Sequence, residues 1–106
     1  MIKSLLNTCL ICCSLLTCCA VAQEHTIDIK KFKFTPQQLT IKVGDTVIWQ
    51  NIEKRQYHNV WFKQLFEQEP EIIFPGENYQ LSFDKPGTYP YSCGPHPKMT
   101  GTIVVK

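Results

Sequence analysis

The chain has 106 residues, with eleven Lys and Arg against nine Asp and Glu, a formal net charge of +2 and 43% apolar residues. That length allows one small domain, and so even a charge balance excludes recognition of nucleic acid. A domain this small often gains from a metal or a disulfide.

The first element is a leader. Residues 1–22, MIKSLLNTCLICCSLLTCCAVA, carry Lys3, an apolar run from Leu5 and the triplet Ala20-Val21-Ala22. This pattern predicts a secretory signal peptide with an A-x-A cleavage site, export to the periplasm and a mature domain of residues 23–106. The run is short and interrupted by Asn7, Thr8 and Ser14, so no membrane span is expected in the mature chain. Thr17 is a poor residue before a lipid-modified Cys18. Cys9, Cys12, Cys13, Cys18 and Cys19 leave with the leader, and Cys93 alone remains of the six cysteines. In an oxidising compartment such a thiol is paired between molecules, reactive, or bound to something. Cleavage after Ala22 would also place His25 third from a free amine. The amine, two backbone amides and the imidazole are a square-planar donor set for Cu(II) or Ni(II), against the plainer reading of a frayed tail.

Short strands then follow one another between turn signals. Ile27 and Ile29 alternate, and Phe32 and Phe34 alternate on the opposite parity, which predicts a bulge between them. Leu39, Ile41 and Val43 continue the pattern, and Gly44-Asp45 turns the chain into TVIWQN. HNVWF reads as a strand with His58, Val60 and Phe62 on one face. Periodicity fails from Lys63 to Glu71, which predicts a loop or a single helical turn. Tyr79, Leu81 and Phe83 share one face, as do Tyr89, Tyr91 and Cys93, and GTIVVK closes the chain with Ile103 and Val105 inward. About seven such strands predict an all-β sandwich or small barrel. Pro90 lacks an N–H, so it must lie on an edge, at a bulge, or with its nitrogen turned from the neighbouring strand.

The stretch YSCGPHPKM sets Cys93, His96 and Met99 at C-x2-H-x2-M spacing on one loop, stiffened by Pro95 and Pro97. His58 is the natural fourth donor. Two imidazoles and a cysteinate in a plane, with a weak axial thioether, describe a blue-copper electron-transfer site. Taken singly, each residue has a plainer reading: Cys93 as a small buried hydrophobe, His58 as a satisfied polar group, Met99 as core filler. Zinc also takes Cys and His, but methionine is a poor zinc ligand. A Cys–His hydrolase would need an orienting third group, a pocket and an oxyanion site, for which a small sandwich has little room.

The segments GDTVIWQN, HNVWF, PGENYQLSF, KPGTYPYSCGPHPKM and GTIVVK resemble the cupredoxins, the type 1 blue copper proteins, over about two thirds of the chain. The resemblance implies a Greek-key β-sandwich with one copper ion held by His58, Cys93, His96 and Met99. It implies single-electron transport between redox partner proteins, no enzymatic activity, and transient docking of a monomer through a small patch of Pro95, Pro97 and Tyr57 around His96. The rival role is a copper carrier or buffer. One departure stands out. Relatives bond the asparagine beside the first histidine, here Asn59, to a Thr or Ser after the cysteine, where this chain has Gly94, so Asn59 is expected to bond only to backbone.

Overall fold

Residues 21–106 are described in the computed structural model; the expected leader, apart from Val21 and Ala22, lies outside the described residues together with its five cysteines. Alternating apolar side chains produce seven strands: β1 (Glu24–Lys30), β2 (Lys33–Thr35), β3 (Gln38–Ile41), β4 (Thr46–Asn51), β5 (Asn78–Ser82), β6 (Gly87–Ser92) and β7 (Thr100–Val105). They form two sheets, of order β2-β1-β4-β5 and β3-β7-β6. The chain changes sheet after β2, after β3 and after β5, and two of the pairings, β1 with β4 and β3 with β7, are parallel. This is the expected all-β Greek-key sandwich.

The inward faces meet in one core. Ile27, Ile29, Val47 and Trp49 come from the first sheet, and Ile103 and Val105 from the second, all buried. Each such side chain stabilises the fold by about 1.5–3 kcal/mol relative to exposure. Trp49, Phe62 and Tyr91 pack ring on ring, with centroids 4.9 to 5.8 Å apart, and the buried indole Nε1–H of Trp49 donates to the Tyr91 hydroxyl at 3.2 Å. The Tyr91 ring lies over Gly101, where any Cβ would overlap it.

Three local expectations are corrected. The parity change between Ile29 and Phe34 is a hairpin and not a bulge: β1 and β2 pair antiparallel through Lys30 and Lys33. Lys31 and Phe32 form its two-residue turn at φ of 56° and 58°, the left-handed pair that a type I′ turn requires. HNVWF is not a ladder strand. It makes single bridges, His58 to Ile73 and Trp61 to Ser92, and Asn59 is buried as fully as its neighbours, so the segment is clamped on both sides. Val43 lies past the end of β3 and is exposed. Pro90 meets expectation, since β6 is an outer strand of its sheet. Ser92 N–H turns away from β7 to donate to Trp61 O at 3.1 Å, and Pro90, two residues earlier, presents its missing N–H on that same side.

Candidate metal centre

The loop between β6 and β7 is tightened by its own backbone. The ladder ends at Ser92 and Thr100. Beyond it Cys93 N–H donates to Met99 O at 2.9 Å, His96 N–H to Cys93 O at 3.2 Å, and Met99 N–H to His96 O at 2.9 Å. Cys93 and Met99 are thereby buried at the loop base, while His96 rises to the half-buried rim between Pro95 and Pro97.

His58 arrives on the bridged segment HNVWF, outside both sheets. Its backbone exchanges two hydrogen bonds with Ile73, of 3.2 and 2.7 Å. The buried Asn51 side chain fixes the preceding loop by donating to Gln56 O and Ile73 O, at 2.9 and 2.8 Å. The result is a compact donor set. Cys93 Sγ lies 3.6 Å from Nδ1 of His58 and 3.6 Å from Nδ1 of His96, and the ligating atoms of the three residues fall within 4.8 Å of one another. Bonds of about 2.0 Å to imidazole and 2.3 Å to thiolate, the lengths typical of zinc, splayed by about 120°, give an edge of about 3.7 Å. The triangle therefore has the size of a metal's ligand plane.

Its electrostatics point the same way. Burial pushes the His58 imidazole below its ordinary pKa, and the neighbouring His96 adds to the effect. With its proton on Nε2, which has no hydrogen-bond partner, the neutral ring turns its Nδ1 lone pair toward Sγ. Burial pushes the Cys93 thiol up; backbone N–H groups, led by that of Asn59 at 3.4 Å from Sγ, oppose this, and the charge of Glu69 adds to it. A buried thiol between two imidazoles becomes a thiolate when a cation takes its proton's place.

Aromatic rings cover the mouth. Phe32 stands edge to face against both imidazoles, with centroids 5.8 Å from His58 and 4.9 Å from His96, while 48% of its surface remains exposed. Tyr57 lies 6.4 Å from His96, and Phe74 lies 6.4 Å from Tyr57. The sequence reading placed Tyr57 here and missed Phe32 and Phe74. The reversed parity at Phe32 was the available signal, because a side chain on the tip of a hairpin faces neither sheet.

Asn59 departs from expectation. Its Oδ1 accepts the Gly94 N–H at 2.6 Å, but its Nδ2 donates to the Glu69 carboxylate at 2.8 Å and to Pro70 O at 3.3 Å, so its partners include a side chain. His25 is also engaged. Its Nε2 lies 2.9 Å from Asp45 Oδ2, and Gln23 N–H donates to the same carboxylate at 2.9 Å. His25 itself pairs with Val47 in the sheet, so a square-planar chelate at this end would have to pull β1 away from β4.

A two-sheet sandwich that closes a buried thiolate donor between two imidazoles defines the class of blue copper electron carriers. Residues 21–106 match the model for "Copper binding proteins, plastocyanin/azurin family", and the chain belongs to that family, whose cofactor is one copper ion. It is 38% identical to amicyanin-alpha of Methylorubrum extorquens over 82% of this chain and 76% of that protein. It is 42% identical to amicyanin of Paracoccus denitrificans over 76% of this chain and 63% of that protein. The crystal structure of amicyanin from Paracoccus versutus superposes with a TM-score of 0.70 at 33% identity, covering 82% of this chain and 85% of that one.

Proposed function

We propose that His58, Cys93 and His96 would hold the copper ion, with Met99 as a further, weak donor, and that the chain shuttles single electrons between partner proteins in the periplasm after losing residues 1–22. The observation that carries this reading is the Cys93 sulfur 3.6 Å from Nδ1 of each imidazole at the end of a rigid sandwich. Copper supplies a one-electron couple. The protein supplies a cage that need not rearrange: one donor is clamped by the bridge to Ile73, and the rest sit on a loop closed by three backbone hydrogen bonds. No catalysis is assigned to the chain, because the donor atoms face one another and Phe32 fills the mouth above them.

The chemistry of the rim supports docking near His96. Phe32, Tyr57 and Phe74 are exposed large apolar side chains around it, joined by Pro97. Two grooves flank this patch: one is lined by Phe32, Lys33 and Lys98 among others, the second by Lys30, Lys31, Lys54 and Arg55 with Glu53 as its acid. A small apolar contact ringed by cations suits a brief encounter with a partner that is acidic around its own redox centre.

The rival role, copper carriage without electron transfer, differs in exchange. Voltammetry of the copper-loaded protein should show a reversible one-electron wave that persists through repeated cycling in the presence of a competing chelator. Rapid loss of copper to the chelator, with no reversible wave, would favour the carrier. Exported protein should begin at Gln23 on N-terminal sequencing.

A further inference from the structure

The Asn59 carboxamide joins two loops. One of its atoms receives the N–H of Gly94, the residue after the thiol, and the other donates to Glu69 and Pro70 on the irregular segment that follows HNVWF. The same residue's backbone N–H faces Cys93 Sγ. Any shift of Asn59 would therefore move a hydrogen-bond donor of the sulfur and the backbone beside it together.

Gly94 explains the arrangement. It is not among the residues at positive φ, so its backbone does not demand glycine. What glycine leaves is space, and the end of a flexible side chain takes it. A Cβ at position 94 would lie 2.5 Å from the Glu69 carboxyl carbon and 3.1 Å from Asn59 Nδ2. The carboxylate of Glu69 occupies the volume that a side chain at position 94 would fill.

We propose that Glu69 is a positioning residue of the metal centre: its carboxylate locks Asn59 across the gap left by Gly94 and places a fixed negative charge beside the Cys93 loop. This rests on copper being held by His58, Cys93 and His96. A negative charge near the site stabilises the more highly charged Cu(II) state over Cu(I), so Glu69 lowers the reduction potential. Being partly solvated, that charge acts through a high effective dielectric and is screened by salt.

Two measurements test the two halves. In copper-loaded protein, Glu69→Gln keeps an acceptor for Asn59 and removes the charge. It should raise the potential by about 59 mV, a tenfold change in the Cu(I) to Cu(II) affinity ratio for one electron, and the difference should shrink with added salt. In copper-free protein, Gly94→Ser should lower the melting temperature in the wild-type background and cost much less in a Glu69→Ala background, where the gap has been vacated. An unchanged potential in Glu69→Gln, or equal destabilisation by Gly94→Ser in both backgrounds, would overturn the proposal. Wild-type protein that stays colourless with Cu(II) would sink the copper reading instead, and the copper-free cycle would still decide whether Glu69 fills the space at position 94.

Discussion

Asp45 ties two backbone N–H groups and one imidazole to a single buried carboxylate. It accepts from Gln23 N–H, His25 Nε2 and Lys42 N–H at 2.9 to 3.0 Å. These bonds, the Gln23 N–H first among them, hold its carboxyl down from 3.8 to about 2. A carboxyl whose folded pKa lies below its unfolded one stabilises the fold above the unfolded value and ceases to as pH falls through the folded one. The melting temperature should therefore drop as pH falls from 3.8 to about 2, and Asp45→Asn should melt lower at neutral pH yet lose less over that window, as followed by circular dichroism. Tyr91 makes a second case. Tyr91→Phe removes the acceptor of the buried Trp49 Nε1–H, and an unsatisfied buried donor costs about 1–3 kcal/mol, which urea unfolding would register.

The β1–β2 hairpin shows an element shaped by something other than stability. Lys31 and Phe32 both adopt left-handed φ, at roughly 1–2 kcal/mol each for residues with a Cβ. Phe32→Gly should relieve that strain while losing the ring contacts with His58 and His96, so stability should stay within about 1 kcal/mol of wild type, and bimolecular electron transfer should slow. A rate equal to wild type would remove Phe32 from the docking patch. Elements whose burial follows one sheet face were legible from alternation alone: Ile27 and Ile29, Tyr79 and Leu81, Ile103 and Val105. HNVWF was misread because it sits between two bridges rather than in a ladder, and alternation carries little information where Asn59 is buried as fully as His58 and Val60. Pro90 was placed correctly because a missing N–H restricts a strand from within.

At the scale of the whole molecule a net charge of +2 conceals polarity. Cations line both grooves beside Phe32, whereas Glu67, Glu69 and Glu71 share another groove with Leu65, Phe66 and Tyr79. Electron exchange with an anionic inorganic complex should slow as salt rises, and exchange with a cationic one should quicken; the opposite pair of slopes would move the electron port off the Phe32 face. Both clusters, Lys30, Lys31 and Lys33 on one hand and the three glutamates on the other, are visible in the sequence; that Lys98, Lys54 and Arg55 extend the first is not. The grouping of Cys93 with His96 was legible from a nine-residue loop; His58 was named as the further donor on an expected strand, and it lies on a bridged segment instead. The Glu69 contact was not legible, since it comes from a segment with no periodicity. The most direct measurement is a titration of the purified protein with Cu(II), followed by visible absorption. The account predicts an intense thiolate-to-copper band that saturates at one ion per chain and is absent from Cys93→Ser; a colourless wild type, or a band that survives the loss of Cys93, would contradict it.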